Sequence, residues 1–133
     1  MRKTPPLAAV GILSASVAAV CWLAPSDAPA AEPGQLAFNN RCRTCHSVRE
    51  SDNRLGPSLH GIVGSKAGAS SGYPNYSQSL TNSGVVWNEE TLNKFIENPE
   101  SVIPGNNMKP YGGLSDEAER KEIVEYLKAQ SGK

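Results

Sequence analysis

Cys42-Arg43-Thr44-Cys45-His46 is the stretch on which the reading of this chain turns. It is a C-x-x-C-H sequence, the signature of c-type haem attachment. The spacing has a physical reason. On a helix, residues i and i+3 lie on one face, about one turn apart. Two thiols so placed can add to the two vinyl groups on one edge of a haem, and His46, the next residue, then turns its imidazole to the iron. A C-x-x-C pair also serves zinc, thiol redox chemistry or a plain disulfide. A zinc site needs about four ligands. It would consume Cys42, Cys45, His46 and His60 together and leave the glycine-rich loops without a purpose.

Working outward, the second axial ligand is expected to be Met108, in Ile103-Pro104-Gly105-Asn106-Asn107-Met108. A thioether is a soft, neutral ligand that raises the potential relative to a second His. A methionine more often fills a core gap, but this one stands in a polar, glycine-rich loop. His60 is the competitor and reads as a surface histidine.

Three helices are expected around this site. The first runs from about Pro33 to Cys45, with Pro33 in its first turn and Gly34 and Phe38 on one face. The second is Asn88–Asn98, with Asn88 as N-cap, Glu89 and Glu90 at the positive end, and Pro99 ending it. Leu92, Phe95 and Ile96 share its apolar face. The third is Ser115–Gln130, capped by Ser115, with Ile123, Val124, Tyr126 and Leu127 as its stripe. A short turn of helix fits Ser77–Asn82. No strand alternation appears. The loop Ser47–Tyr76, of about 30 residues, is too long to be idle in so small a domain. It is expected to wrap a bulky ligand.

The N-terminal thirty residues differ from the rest. Arg2 and Lys3 precede the uncharged run Thr4–Ser26, and Ala28-Pro29-Ala30 is a small-x-small cleavage sequence. The expectation is a secretory signal over residues 1–30 and a single domain over 31–133, exported to the periplasm. A retained anchor is the alternative, since Leu7–Ala24 has 18 residues, at the lower limit for a span. Removing Arg2, Lys3 and Asp27 from 13 basic and 13 acidic residues leaves a net charge of about −1, which excludes a general nucleic-acid binder. It also leaves Cys42 and Cys45 as the only cysteines and Met108 as the only methionine.

From Gly34 to Ala129 the chain resembles the class I cytochromes c, mitochondrial cytochrome c and bacterial cytochrome c2 among them. Gly34 and Phe38, Cys42, Cys45 and His46, and Gly56-Pro57-Ser58-Leu59-His60-Gly61 carry the resemblance. So do Val86-Trp87-Asn88-Glu89-Glu90-Thr91-Leu92, Glu97-Asn98-Pro99, Ile103-Pro104-Gly105 with Met108, and Tyr126-Leu127-Lys128. The resemblance implies an all-α fold, three main helices and one or two short ones around one covalently attached haem c. It implies that the Pro57 carbonyl accepts Nδ1–H of His46, that Tyr76 and Trp87 donate to a haem propionate, and that Phe38, Tyr126 and Leu127 lock the first and last helices. It also implies a monomeric one-electron carrier. The redox partners would be a cytochrome bc1 complex and a terminal oxidase, or a photosynthetic reaction centre.

Three departures stand out. Ser65 occupies the place of an arginine near the propionates. Phe95 replaces a tyrosine that bonds the Met sulfur. Asn106 and Asn107 replace Thr and Lys beside Met108. The lysine ring of the family is also thin here, with Arg43, Arg49, Arg54, Lys94 and Lys109 as what remains. A labile Met108 would instead suit a haem peroxidase or a small-ligand sensor.

Overall fold

A computed structural model describes residue 1 and residues 30–132. Residues 2–29 of the expected signal segment therefore lie outside the described residues. Among those residues the secondary structure is helical, in the order α1 (Pro33–Arg41), α2 (Gln78–Asn82), α3 (Glu89–Glu97), α4 (Pro99–Val102) and α5 (Glu117–Gln130). Three longer helices and two short ones match the expectation. Lys66 and Val86 make an isolated antiparallel bridge.

The helices begin where the sequence can satisfy their free N–H groups. Asn88 caps α3 by accepting from Thr91 N, and the Thr91 hydroxyl accepts from Asn88 N in return. Asn98 closes α3 and opens α4, its side chain accepting from Ser101 N at 3.2 Å. Pro99 thus ends one helix and starts the next, since a proline is tolerated in a first turn. The cap of α5 is Asp116 rather than Ser115. Its carboxylate accepts from Glu119 N at 2.9 Å, so the helix starts later than expected.

The first helix stops at Arg41, short of the expected Cys45. The Phe38 carbonyl accepts from both Cys42 N (2.8 Å) and Arg43 N (3.1 Å), which closes the helix. Residues 42–45 continue as turns, with Cys45 N and His46 N both bonded to the Cys42 carbonyl. The cysteine pair keeps its one-turn spacing, but a tight turn supplies it.

The core forms where α5 crosses α1 and packs on α3. Gly34 makes the crossing close. A Cβ there would overlap the Glu122 carbonyl oxygen and stand 2.9 Å from Tyr126 Cβ. Phe38 and Tyr126 meet with ring centroids 5.4 Å apart, and Arg41 forks onto Glu119 at 2.8 and 3.0 Å. Phe38, Ile123 and Leu127 are each at most 2% exposed, which is where apolar burial contributes most. Phe38, Tyr126 and Leu127 therefore stand in the α1–α5 contact as expected.

Candidate cofactor site

Beside the crossing, loops and the inner faces of the helices wall a cavity of about 390 Å³. Its lining brings together all seven residues singled out from the sequence: Cys42, Cys45, His46, Pro57, Tyr76, Trp87 and Met108. Apolar side chains from the core face it too, among them Leu80, Phe95, Ile123 and Leu127.

His46 enters from the turn that follows α1. Its Nδ1 lies 2.8 Å from the Pro57 carbonyl oxygen. A carbonyl only accepts, so Nδ1 carries the proton and Nε2 keeps a free lone pair. Burial lowers the imidazole's pKa, against the Pro57 bond, which raises it; the ring is held neutral, the form a metal binds. Gly56 makes room for it. A methyl there would overlap Cε1 of the ring and stand 2.8 Å from Nδ1. Gly56 N in turn donates to the Cys45 carbonyl, and Leu59 N to that of Ser47, pinning this loop to the cysteine turn.

Met108 enters from a loop held by its own polar side chains. Met108 N donates to Asn106 Oδ1 (3.0 Å), and Asn106 Nδ2 donates to the Ile103 carbonyl. Glu100 accepts from Gly105 N (2.7 Å) and Asn106 Nδ2, and pairs with Lys109. The Asn107 side chain ties the loop to residues 75–77, donating to the Asn75 carbonyl and accepting from Ser77 N. The departures at Asn106 and Asn107 are thus the residues that set the Met108 loop.

The remaining donors fit a large apolar cofactor better than the alternatives. Burial in the apolar wall pushes the Cys42 thiol up to about 12. A redox nucleophile needs a lowered value; a thioether bears no charge and suits an apolar wall. Among the described residues no cluster of three or more His, Cys, Asp or Glu could hold a metal ion. His60 is drawn off to the Val48 carbonyl and lines a second, smaller cavity.

Comparison with known proteins agrees. The family described as "Cytochrome C oxidase, cbb3-type, subunit III" matches residues 29–127. Cytochrome c 2.1 of Caenorhabditis elegans is 39% identical over 110 residues, spanning 81% of this chain and 97% of that protein. Cytochrome c2 of Rhodopila globiformis is 40% identical over 102 residues, 75% and 94% of the two chains. Cytochrome cH from Methylobacterium extorquens superposes with a TM-score of 0.66 at 36% identity, covering 73% and 95%.

The chain belongs to the class I cytochromes c.

This cytochrome is therefore an electron-transfer protein, not an enzyme, and carries covalently attached haem c. The cavity fits that group. It is apolar, the cysteine pair stands in its wall, and Gly56 leaves space for an imidazole with a free Nε2. Tyr111 is a residue the sequence reading passed over. It lines the cavity and donates its hydroxyl to the Ile96 carbonyl at 2.6 Å, tying the Met108 loop to α3. Arg120 is another. It is 5% exposed on α5, and donates to Asn93 Oδ1 and to the Leu114 carbonyl. Neither carries a sequence signal, since each is one polar group on a helix or loop until its partners are placed.

Proposed function

We propose that this cytochrome is a soluble, exported carrier of single electrons in which His46 and Met108 are the axial ligands. The observation that supports this is the convergence of His46, with Nε2 left free by the Pro57 bond, and Met108 on one apolar cavity. When bound, the haem supplies an iron that alternates between ferrous and ferric states. The chain does the rest. Cys42 and Cys45 hold the group covalently, Pro57 fixes the imidazole, Tyr76 and Trp87 offer donors to its propionates, and the apolar wall excludes water. With two protein ligands no coordination place is left for a substrate.

The partners on this reading are a cytochrome bc1 complex as donor and a terminal oxidase or photosynthetic reaction centre as acceptor. Docking would be brief and weak. Of the candidate rim cations, Arg54, Lys94 and Lys109 are paired with Asp52, Glu90 and Glu100, so broad charge steering is small. The site of work is the periplasm, after cleavage near Ala30. No helix among the described residues is long and apolar enough to cross a membrane.

One optical spectrum of the exported protein tests the ligation. Sharp c-type bands on reduction, with the weak red-edge sulfur–iron band when oxidised, are expected. Loss of that band in the wild type would remove Met108 as ligand. Mass spectrometry of the mature N-terminus decides the cleavage.

A further inference from the structure

We infer that Lys66 is the cation this cytochrome sets against the acidic edge of its haem. The inference rests on the site reading above and extends it to charge compensation at the Ser65 departure.

Backbone bonds pin residues 64–67 against 85–87. Gly64 N donates to the Trp87 carbonyl (2.6 Å), Trp87 N to that of Ser65 (2.8 Å), and Ala67 N to that of Val85 (2.8 Å). Lys66 and Val86 form the bridge between them. In extended backbone, neighbouring side chains face opposite sides. Ser65 donates its hydroxyl to the Ile62 carbonyl at 2.8 Å and lines the smaller cavity. Lys66 lines the main cavity, in company with Tyr76 and Trp87.

Three cations line that cavity: Arg41, Lys66 and Lys109. Arg41 is committed to Glu119 and Lys109 to Glu100. Among the described residues Lys66 has no carboxylate within 4.0 Å. Trp87 is 5% exposed and lines the same cavity, directly after the Lys66–Val86 bridge.

A haem carries two carboxylates. In an apolar cavity an ionised carboxylate is costly unless it is bonded and paired. Trp87 and Tyr76 supply neutral donors on this wall, and Lys66 supplies the charge. A positive charge beside the haem favours the reduced iron, which bears one positive charge less. Lys66 is exposed, so its effect is salt-sensitive.

The test is a redox titration of the exported holoprotein as wild type, Lys66→Gln, Lys66→Arg and Lys128→Gln. Lys128 pairs with Glu89 on the surface and lines neither cavity, so it controls for loss of one charge. Lys66→Gln is expected to lower the ferrous-to-ferric ratio at fixed poise about threefold, or about 30 mV at 59 mV per tenfold for a one-electron couple. The shift should shrink in about 1 M salt, where the Debye length is about 3 Å. Lys66→Arg should restore the wild-type potential, and Lys128→Gln should shift it less. A Lys66→Gln protein with a wild-type spectrum and a wild-type potential overturns the inference. So does an equal shift from Lys128→Gln. A wild type without c-type bands is a separate failure, that of the haem site itself.

Discussion

Where α1 crosses α5, Phe38, Ile123, Val124 and Leu127 are 0–4% exposed and bury one another. Across the cavity, residues 42–76 and 103–113 include little helix and are held largely by hydrogen bonds among loops: Gly56 to Cys45, Leu59 to Ser47, Asn107 to Asn75. Many of their apolar side chains, Leu55, Leu59, Ile62, Tyr76 and Tyr111 among them, face the cavity. The crossing carries its own stabilisation. The loops incur the entropy of ordering, on the order of 1–2 kcal/mol per residue, without a packed interior of their own to offset it. In a cytochrome c that offset comes from the haem, so one half of the domain is a frame and the other a wrapping.

The sharpest way to break this comparison is to remove the attachment. Cys42→Ala with Cys45→Ala should leave the exported chain without haem and with most of its helical circular dichroism lost at 25 °C. Native-like helicity in that variant would show the frame to be self-sufficient.

Phe38→Ala sharpens the frame side. The side chain is 2% exposed in the α1–α5 core and lines neither cavity, and its truncation should cost about 4 kcal/mol in guanidinium unfolding. The two close-approach glycines then separate the halves. Gly34→Ala forces a methyl into the Glu122 carbonyl and should cost about 2 kcal/mol while leaving the haem spectrum unchanged. Gly56→Ala forces a methyl into the His46 ring and should shift the spectrum and the potential. If both variants behaved alike, the division of labour would fail.

The smallest effect is expected at Asn88, whose side chain accepts from Thr91 N. Asn88→Ala should cost about 1 kcal/mol, with no change in the spectrum, because the cap belongs to the frame.

Much of the site was legible because its chemistry is local. Cys42, Cys45 and His46 are adjacent in sequence, and the spacing alone predicts their use. Asn88 before Glu89 and Glu90 is likewise a cap signal readable over three residues. The misreadings share a cause. Propensity carries the first helix on to Cys45, because it does not reveal that the Phe38 carbonyl takes two N–H donors and closes the helix at Arg41. Ser115 and Asp116 are both good caps, and only the geometry at Glu119 N chooses between them. The expectation of one or two short helices leaves α4 unplaced because Pro99 reads as a stop, and its second role as a start depends on Asn98 turning back to Ser101.

The sequence by itself determined the helical pattern, the covalent attachment pair and the His46 and Met108 candidates, through periodicity, local spacing and loop composition, while Pro57, Tyr76 and Trp87 came from the family resemblance. Only the tertiary structure decided which long-range partners serve them. It turned Ser65 to Ile62 and Lys66 to the cavity, set Asn107 against Asn75, and buried Arg120 against Leu114 and Asn93. Asn107 and Arg120 reach partners, Asn75 and Asn93, that lie 32 and 27 residues away along the chain. Hydrogen bonds act over about 3 Å, so such choices exist only once the chain has brought the two ends together.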